Sequence, residues 1–315
     1  MTGGVLALAG GVGGAKLALG LSKVLPADEL TIVVNTGDDA TFHGLHVSPD
    51  LDTVMYALAG LSNNETGWGV AGDTFNSLGQ LERYGNPAWF NLGDKDLATH
   101  IRRTELLRNG STLSEATGSL CASLDIAIRI VPMTDDPVHT MVETTEGELP
   151  FQTYFVREQC RPVTLAIRYD GAERARPSPG FLDSLETASH LIICPSNPFL
   201  SVDPILAVPG VRQRLEKFAG RRLAVSPIVG GEAVRGPAGK LMRELGHEVS
   251  CVGVARYYQG LCDIFIIDEV DEGCASEIEA LGMKVHAAPT IMQNDDDKER
   301  LARLACHLLG VPLAS

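Results

Sequence analysis

Two clusters near the amino end carry the residue types that phosphate chemistry requires. The first is LALAGGVGGAKLALG, Leu6 to Gly20, where Gly10, Gly11, Gly13 and Gly14 stand between an apolar run and a helix-forming run. Glycines at a strand-to-helix junction let backbone N–H groups approach an anion, and the helix amino end adds its partial positive charge. The second is VVNTGDDATFHGLHVSPDLD, Val33 to Asp52, which places Asp38, Asp39, Asp50 and Asp52 within one fifteen-residue span. Carboxylates beside phosphates commonly hold a bridging Mg2+, which offsets charge on a phosphate donor and orients it. A plainer reading exists for each cluster: the glycines make only a tight turn, Asp38 and Asp39 form another, and Asp50 or Asp52 caps a helix.

The glycine run satisfies neither common nucleotide pattern. In a dinucleotide fingerprint, G-x-G-x-x-G/A, Gly11 and Gly13 fit the first two positions, but Lys16 falls on the third and the second strand ends in Asn35 rather than an acid. In a Walker loop, counting from Gly10, the last glycine and the magnesium-binding hydroxyl are replaced by Ala15 and Leu17 around Lys16. An NAD-dependent oxidoreductase and a P-loop hydrolase are therefore both disfavoured. Two later loops add to the anion-binding case. PSNPFLSVDPIL, Pro195 to Leu206, contains Ser196 and Asn197, and SPIVGGEAVRGPAGK, Ser226 to Lys240, contains Gly230, Gly231 and Gly236. Each follows a predicted parallel strand, and loops at the carboxyl ends of such strands line one crevice suited to a nucleotide.

The elements that must position these loops alternate. Short apolar runs at Val5–Ala9 and Leu30–Val34 predict buried strands with helical spacing following at 15–25 and 51–61, and the alternation returns with strands at Leu191–Cys194, Leu223–Val225, Ile264–Ile267 and Lys284–Ala287. The fold class is α/β: a Rossmann-like, doubly wound, mainly parallel sheet. Between them, about 63–180, the texture changes to helices at 74–84, 94–108 and 113–124, the last with Thr112 and Glu115 in capping-box spacing, and to β-rich pieces at 126–131, 141–144 and 163–169. This stretch reads as an α+β lobe inserted in a single domain spanning 1–315. His100, Arg102, Arg103 and Arg108 fall on an amphipathic helical pattern and read as surface or interface residues, and Asp295–Asp297 as an exposed helix amino end.

Composition sets outer bounds. Of 315 residues, 44% are hydrophobic and 21% charged, as in folded globular chains. A formal net charge of −14 argues against a broad nucleic-acid footprint, so any anion is bound locally. Seven scattered Cys without a Cys-x-x-Cys suit a reducing compartment, and the amino end shows neither a leader nor a membrane span. The expectation is a cytoplasmic protein with no membrane partner.

The ordered segments GGVGGAKL, VNTGDD, SPDLDTVMYALAG, GWGVAGDTF, LGDKDLATHIRRTELLRNG, PSNPFLSVDPIL and SPIVGGEAVRGPAGK are similar to those of the phospholactate transferase family of deazaflavin coenzyme (F-420) biosynthesis, from about Gly3 to near Asp268. The resemblance implies an enzyme that uses Mg2+ and is often dimeric. It implies attack by the ribityl hydroxyl of the deazaflavin Fo on a guanosine diphosphate-linked donor, with GMP leaving. Carried residue by residue, it puts the nucleotide on Gly10, Gly11, Gly13, Gly14, Ser196, Asn197, Gly230, Gly231 and Gly236, with Asp50 and Asp52 as catalytic carboxylates and Asp38 and Asp50 as metal ligands. Asp50, Trp68, Asp73, Thr74 and Lys95 are assigned to the deazaflavin side; Asp73 and Thr74 also suit a helix cap, and Lys95 an ion pair between Asp94 and Asp96. The GGVGG loop departs from the GGTGT form of archaeal relatives and is like that of bacterial members, which counts against a phospholactyl donor and makes enolpyruvyl and glyceryl donors candidates. A non-catalytic regulator of the same superfamily that binds nucleotide-sugars is the alternative.

Overall fold

Every residue of Val5–Ala9 (β1) is buried and apolar, the signature of a strand covered on both faces. The computed structural model, which describes residues 4–63 and 65–314, shows why. β1 lies inside a seven-stranded sheet with β2 (Leu30–Val34), β3 (Arg129–Pro132), β4 (His190–Ile193), β5 (Arg221–Val225), β6 (Ile264–Ile267) and β7 (Lys284–Ala287). The spatial order is β7-β6-β5-β4-β1-β2-β3, and all neighbours are parallel. Side chains alternate between two cores. Leu6, Leu8, Val33, Leu191, Ile193 and Phe265 face one. Val5, Ala7, Ala9, Ile32, Ile192 and Ile266 face the other, which helices α1 (Gly11–Val24) and α2 (Pro49–Leu58) and the carboxyl-terminal helix Asp295–Leu309 complete.

Two elements differ from the sequence expectation, each for a physical reason. α1 starts at Gly11, not Ala15, so the glycines form the first turn of the helix. Gly11 has φ +60°, and a Cβ on Gly13 would sit 2.2 Å from the Pro195 carbonyl oxygen. Helix propensity argues against glycine there, but close approach of the 195–201 segment requires it. β3, expected within the inserted α+β stretch at 63–180, instead pairs with β2 at the edge of the central sheet. The extra antiparallel sheet is built from His139–Thr144, Gly147–Pro150 and Thr164–Asp170. Its Thr140 N–H donates to the Gly37 carbonyl at 2.6 Å, and Gln152 Nε2 donates to the Asp38 carbonyl at 3.0 Å. The added sheet thus braces the acidic loop after β2.

Asp295–Asp297 opens the last helix as expected, with Asn294 and Asp297 forming a capping box. Among the described residues no helix is long and apolar enough to cross a membrane. α1 packs on the last helix so closely that a Cβ on Gly20 would lie 2.2 Å from the Lys298 carbonyl oxygen. Gly20→Ala should therefore destabilise the protein by roughly 1–3 kcal/mol in urea unfolding. A midpoint equal to wild type would show that these helices are not so tightly apposed.

Candidate active site

The strand order reverses at β1, whose neighbours β2 and β4 leave in opposite directions, and ligands in open α/β sheets bind at that reversal. Loops from all three strands meet there. The Gly10 N–H donates to Ser196 Oγ at 3.3 Å, joining β1's loop to β4's. At the first residue of α1, the Gly11 N–H donates to Asp50 Oδ1 at 2.7 Å. Asn35, at the end of β2, donates from Nδ2 to Asp50 Oδ2 at 2.9 Å, to Asp38 Oδ1 at 3.4 Å and to the Leu200 carbonyl at 3.2 Å, while its Oδ1 accepts from Gly37 N–H at 2.8 Å. Asn35 is 1% exposed, so these bonds must satisfy it internally. The sequence reading used Asn35 only to exclude NAD; its place at a parallel strand's carboxyl end was the available signal.

Asp38, Asp39 and Asp50 are all buried within this crevice wall. Burial pushes the Asp38 carboxyl well above the usual carboxylate range, and the charges of Asp50 and Asp39 push it further. Burial likewise raises Asp50 to about 6, against the Asn35 and Gly11 hydrogen bonds that favour its ionised form. Asp39 is raised by burial too, and partly held down by His46, whose Nε2 lies 2.9 Å from Oδ2, and by Ser48 Oγ, which donates to the same oxygen at 2.8 Å. Its other oxygen, Oδ1, is buried with no partner. Among the described residues none of the three forms an ion pair with Lys or Arg. A hard divalent cation such as Mg2+ would relieve the repulsion between Asp38 and Asp50, the expected ligands, which share the Asn35 amide; the orphaned Oδ1 belongs to Asp39, and among the described residues the three acids do not bring one oxygen each within 4.8 Å of one another.

Asp52 leaves α2 on the opposite side from Asp50, as a two-residue separation on a helix dictates. Both its oxygens accept from the guanidinium of Arg103, Oδ2 at 3.0 Å from Nη1. Arg103 has no solvent exposure and His100 is 1% exposed, which corrects the surface assignment of this pair; Arg102 and Arg108 are exposed. His100 Nε2 lies 3.2 Å from Asp96 Oδ1, to which Tyr56 OH also donates at 2.7 Å. Ligand atoms of Asp52, Asp96 and His100 fall within 4.8 Å of one another, but the Arg103 guanidinium already neutralises Asp52. This group is an internal ion-pair network joining α2 to the helix Asp94–Arg108, not a second cation site. No local pattern reveals it, because Asp52 and Arg103 are 51 residues apart.

The residues expected on the deazaflavin side lie beyond α2. Asp73 accepts from the N–H groups of Lys95 and Asp96 at 2.8 and 3.0 Å, capping the helix Asp94–Arg108. Asp94 in turn accepts from Thr74 Oγ1 at 2.5 Å and from Ser77 N–H at 2.9 Å, capping the helix Asn76–Arg83. The sequence suggests that Asp73 and Thr74 cap the next helix; instead Asp73 caps the later helix Asp94–Arg108, and Asp94 caps Asn76–Arg83, so the caps are crossed. Lys95 Nζ donates to the Ala71 carbonyl at 3.1 Å rather than pairing with Asp94 or Asp96, and Trp68 is 43% exposed on a tight turn. On the nucleotide side, Asn197 Oδ1 accepts from Phe199 and Leu200 N–H at 3.0 and 3.2 Å, leaving its amide nitrogen buried without a partner. Gly230 and Gly231 turn the short hairpin after β5, with Gly230 N–H on Asp271 at 3.0 Å; Gly236 lies in the exposed segment that follows.

A doubly wound parallel sheet that gathers a glycine-rich helix start and buried carboxylates at its strand reversal is a Rossmann-like α/β architecture. Residues 5–311 match the family described as 2-phospho-L-lactate transferase CofD. The chain is 43% identical to the phosphoenolpyruvate transferase of Streptomyces griseus, covering 96% of this chain and 98% of that protein. It is 39% identical to the 2-phospho-L-lactate transferase of Methanosarcina mazei, covering 95% and 98%. A crystal structure from Bacillus halodurans, of a protein in the upf0052 family, shares the fold with a TM-score of 0.62 at 13% identity, covering 97% and 99%. The chain belongs to the 2-phospho-L-lactate transferase family, and it is a transferase of that type.

Two outcomes test the electrostatics. Arg103→Met leaves Asp52 charged and buried, and should cost about 3–5 kcal/mol of unfolding free energy, whereas the Arg103→Met/Asp52→Leu pair should recover much of it. Equal losses in the single and double variants would show that the pair does not carry the cost. For Asp50 the folded value near 6 exceeds the unfolded value near 4. Protonation therefore favours the folded state: its contribution is fully present below about pH 4 and lost as pH rises through 6. In cation-free buffer, the stability of wild type relative to Asp50→Asn should accordingly improve by up to roughly 3 kcal/mol between pH 7 and pH 4. A pH-independent difference would place Asp50 in a wetter site.

Proposed function

We propose that this enzyme transfers a phospho-organic-acid group from a guanosine diphosphate-linked donor to the terminal ribityl hydroxyl of the deazaflavin Fo, forming a precursor of coenzyme F-420. The observation that carries this reading is the meeting of the α1 amino end with the buried carboxylates Asp38, Asp39 and Asp50 at the strand reversal. The family match and the names of the curated relatives support the same class of reaction. The hydroxyl oxygen attacks the phosphorus that bears the organic acid. A new P–O bond to Fo forms, the bond to the bridging oxygen of the diphosphate breaks, GMP departs with that oxygen, and the hydroxyl proton is released. The product is a phosphodiester.

Each residue then has a task. The glycine-rich start of α1, beyond the Gly10 and Gly11 N–H groups that Ser196 and Asp50 already take, holds the guanosine diphosphate portion against the helix dipole, with Ser196, Asn197 and the Gly230–Gly236 segment. Asp50 sits between that turn and Asn35, where its ionised carboxylate orients the attacking hydroxyl or accepts its proton. Asp38 and Asp50 would hold Mg2+, which supplies charge neutralisation on the diphosphate when bound. Asp52 acts at one remove: its lock on Arg103 fixes the start of α2 and hence the direction of Asp50. Trp68, with Lys95 and the Asp73–Thr74 corner, borders the acceptor side, where an aromatic face suits a deazaflavin ring.

The test is turnover. Purified protein, Fo, Mg2+ and donor formed from phosphoenolpyruvate, phospholactate or 3-phosphoglycerate by a guanylyltransferase should give a deazaflavin phosphodiester, detected by mass, with one of the three acids preferred. Asp50→Asn should lower kcat by about 100-fold or more, and a chelator should stop the reaction until Mg2+ is restored. Tight binding of GDP or a nucleotide-sugar with no product from any donor, and no affinity for Fo, would point to the regulator reading instead.

A further inference from the structure

One cation of the Gly230–Gly236 segment stands between the two halves of the site, and that scheme gives its side chain no task of its own. Arg235, on the segment after the Gly230–Gly231 hairpin, donates from its guanidinium to the Thr66 carbonyl, in the turn that carries Trp68. The contact is close: a Cβ on Gly67 would lie 2.1 Å from Arg235 Nη1 and 3.2 Å from a methyl carbon of Val12, the residue between Gly11 and Gly13. Three segments therefore touch at one point: the glycine-rich start of α1, the Trp68 turn and the loop after β5. The turn is otherwise tied mainly to itself, through Gly67 N–H to the Asn63 carbonyl at 2.8 Å and Thr66 Oγ1 to the Trp68 carbonyl at 2.6 Å.

Positive charge concentrates at the same place. Burial and the nearby charges of Lys298 and Arg235 hold Lys16, on the second turn of α1, below its usual range, and its Nζ donates to the Met292 carbonyl at 2.6 Å. Among the described residues neither Lys16 nor Arg235 forms an ion pair, in a chain whose net charge is −14. Arg235 spends its donors on a carbonyl oxygen, which leaves the positive charge of the planar fork available to an anion.

We propose that Arg235 is a phosphate-binding clamp, which bonds the donor's diphosphate with one arm of its guanidinium while the other holds the Thr66 carbonyl, so that nucleotide binding fixes the Trp68 turn over the acceptor site. Lys16 adds charge to the same anion site. The clamp gives the acceptor side a direct report of nucleotide occupancy through a single side chain. Lysine at 235 would keep the charge but could not span both partners. The inference rests on the nucleotide-binding reading above.

The experiment uses the full chain carrying Trp89→Phe, in which Trp68 is the sole tryptophan. GDP is titrated with Mg2+ while binding is followed by calorimetry and Trp68 by its emission. GDP should bind and shift or quench the emission. Arg235→Ala should weaken GDP at least about tenfold and abolish the emission change even at saturating GDP. Arg235→Lys should retain more affinity than alanine but still lose the emission change, and circular dichroism should show both variants folded. If GDP binds the parent and Arg235→Ala binds it within twofold, or if the emission change survives in Arg235→Ala, the clamp is wrong while the nucleotide site stands. If the parent itself does not bind GDP, the nucleotide reading fails and takes the clamp with it.

Discussion

The structure turns on one carboxylate placed at a helix amino end. Asp50 accepts from the first N–H of α1 and from the Asn35 amide, and Asn35 also reaches the 195–201 segment through Leu200. Loops that leave three parallel strands are thereby tied into one wall. The helix dipole and two hydrogen bonds favour a charged Asp50, while burial and its acidic neighbours oppose it. The balance leaves the Asp50 carboxyl above its usual range, at about 6. The site is held by the same bonds that would take part in chemistry.

Much else in the fold supports that wall. The antiparallel sheet at 139–170 grips the Gly37–Asp38 backbone from outside, through Thr140 and Gln152. From below, the buried Asp52–Arg103 pair anchors α2, and Tyr56, Asp96 and His100 extend the polar network, in which Arg103 Nε stays without a hydrogen-bond partner. A buried ion pair adds little stability over an apolar pair, yet it sets one geometry. Here that geometry aims the two acids of SPDLD in different directions, one to the crevice and one to the core.

The sheet was largely legible in the sequence because parallel strands covered on both faces announce themselves as short apolar runs. Leu30–Val34 and Ile264–Ile267 coincide with the observed strands, as does the helix Asp94–Arg108; Lys284–Ala287 also coincides, but as a largely exposed edge strand. What was not legible depends on partners distant in the chain. The start of α1 at Gly11 contradicts propensity and follows from Pro195 lying against Gly13. Arg129–Pro132 joins the central sheet only by meeting β2. Arg103 resembles any helix-surface arginine until Asp52 is found beside it. Of the site, composition pointed to the acidic loop and the glycines, but not to Asn35 or Arg235, whose roles come from where the loops converge.

The crossed caps of Asp73 and Asp94 carry a further meaning. Each aspartate lies just outside or at the first residue of one helix and completes the amino end of the helix with which it exchanges bonds. Neither helix has a finished amino end unless the other is in place. The two should fray and re-form together, as one cooperative unit rather than as two independent segments. Because the same corner presents Lys95 and adjoins the Trp68 turn, this part of the surface is present whole or absent whole, set by two short hydrogen-bond clusters.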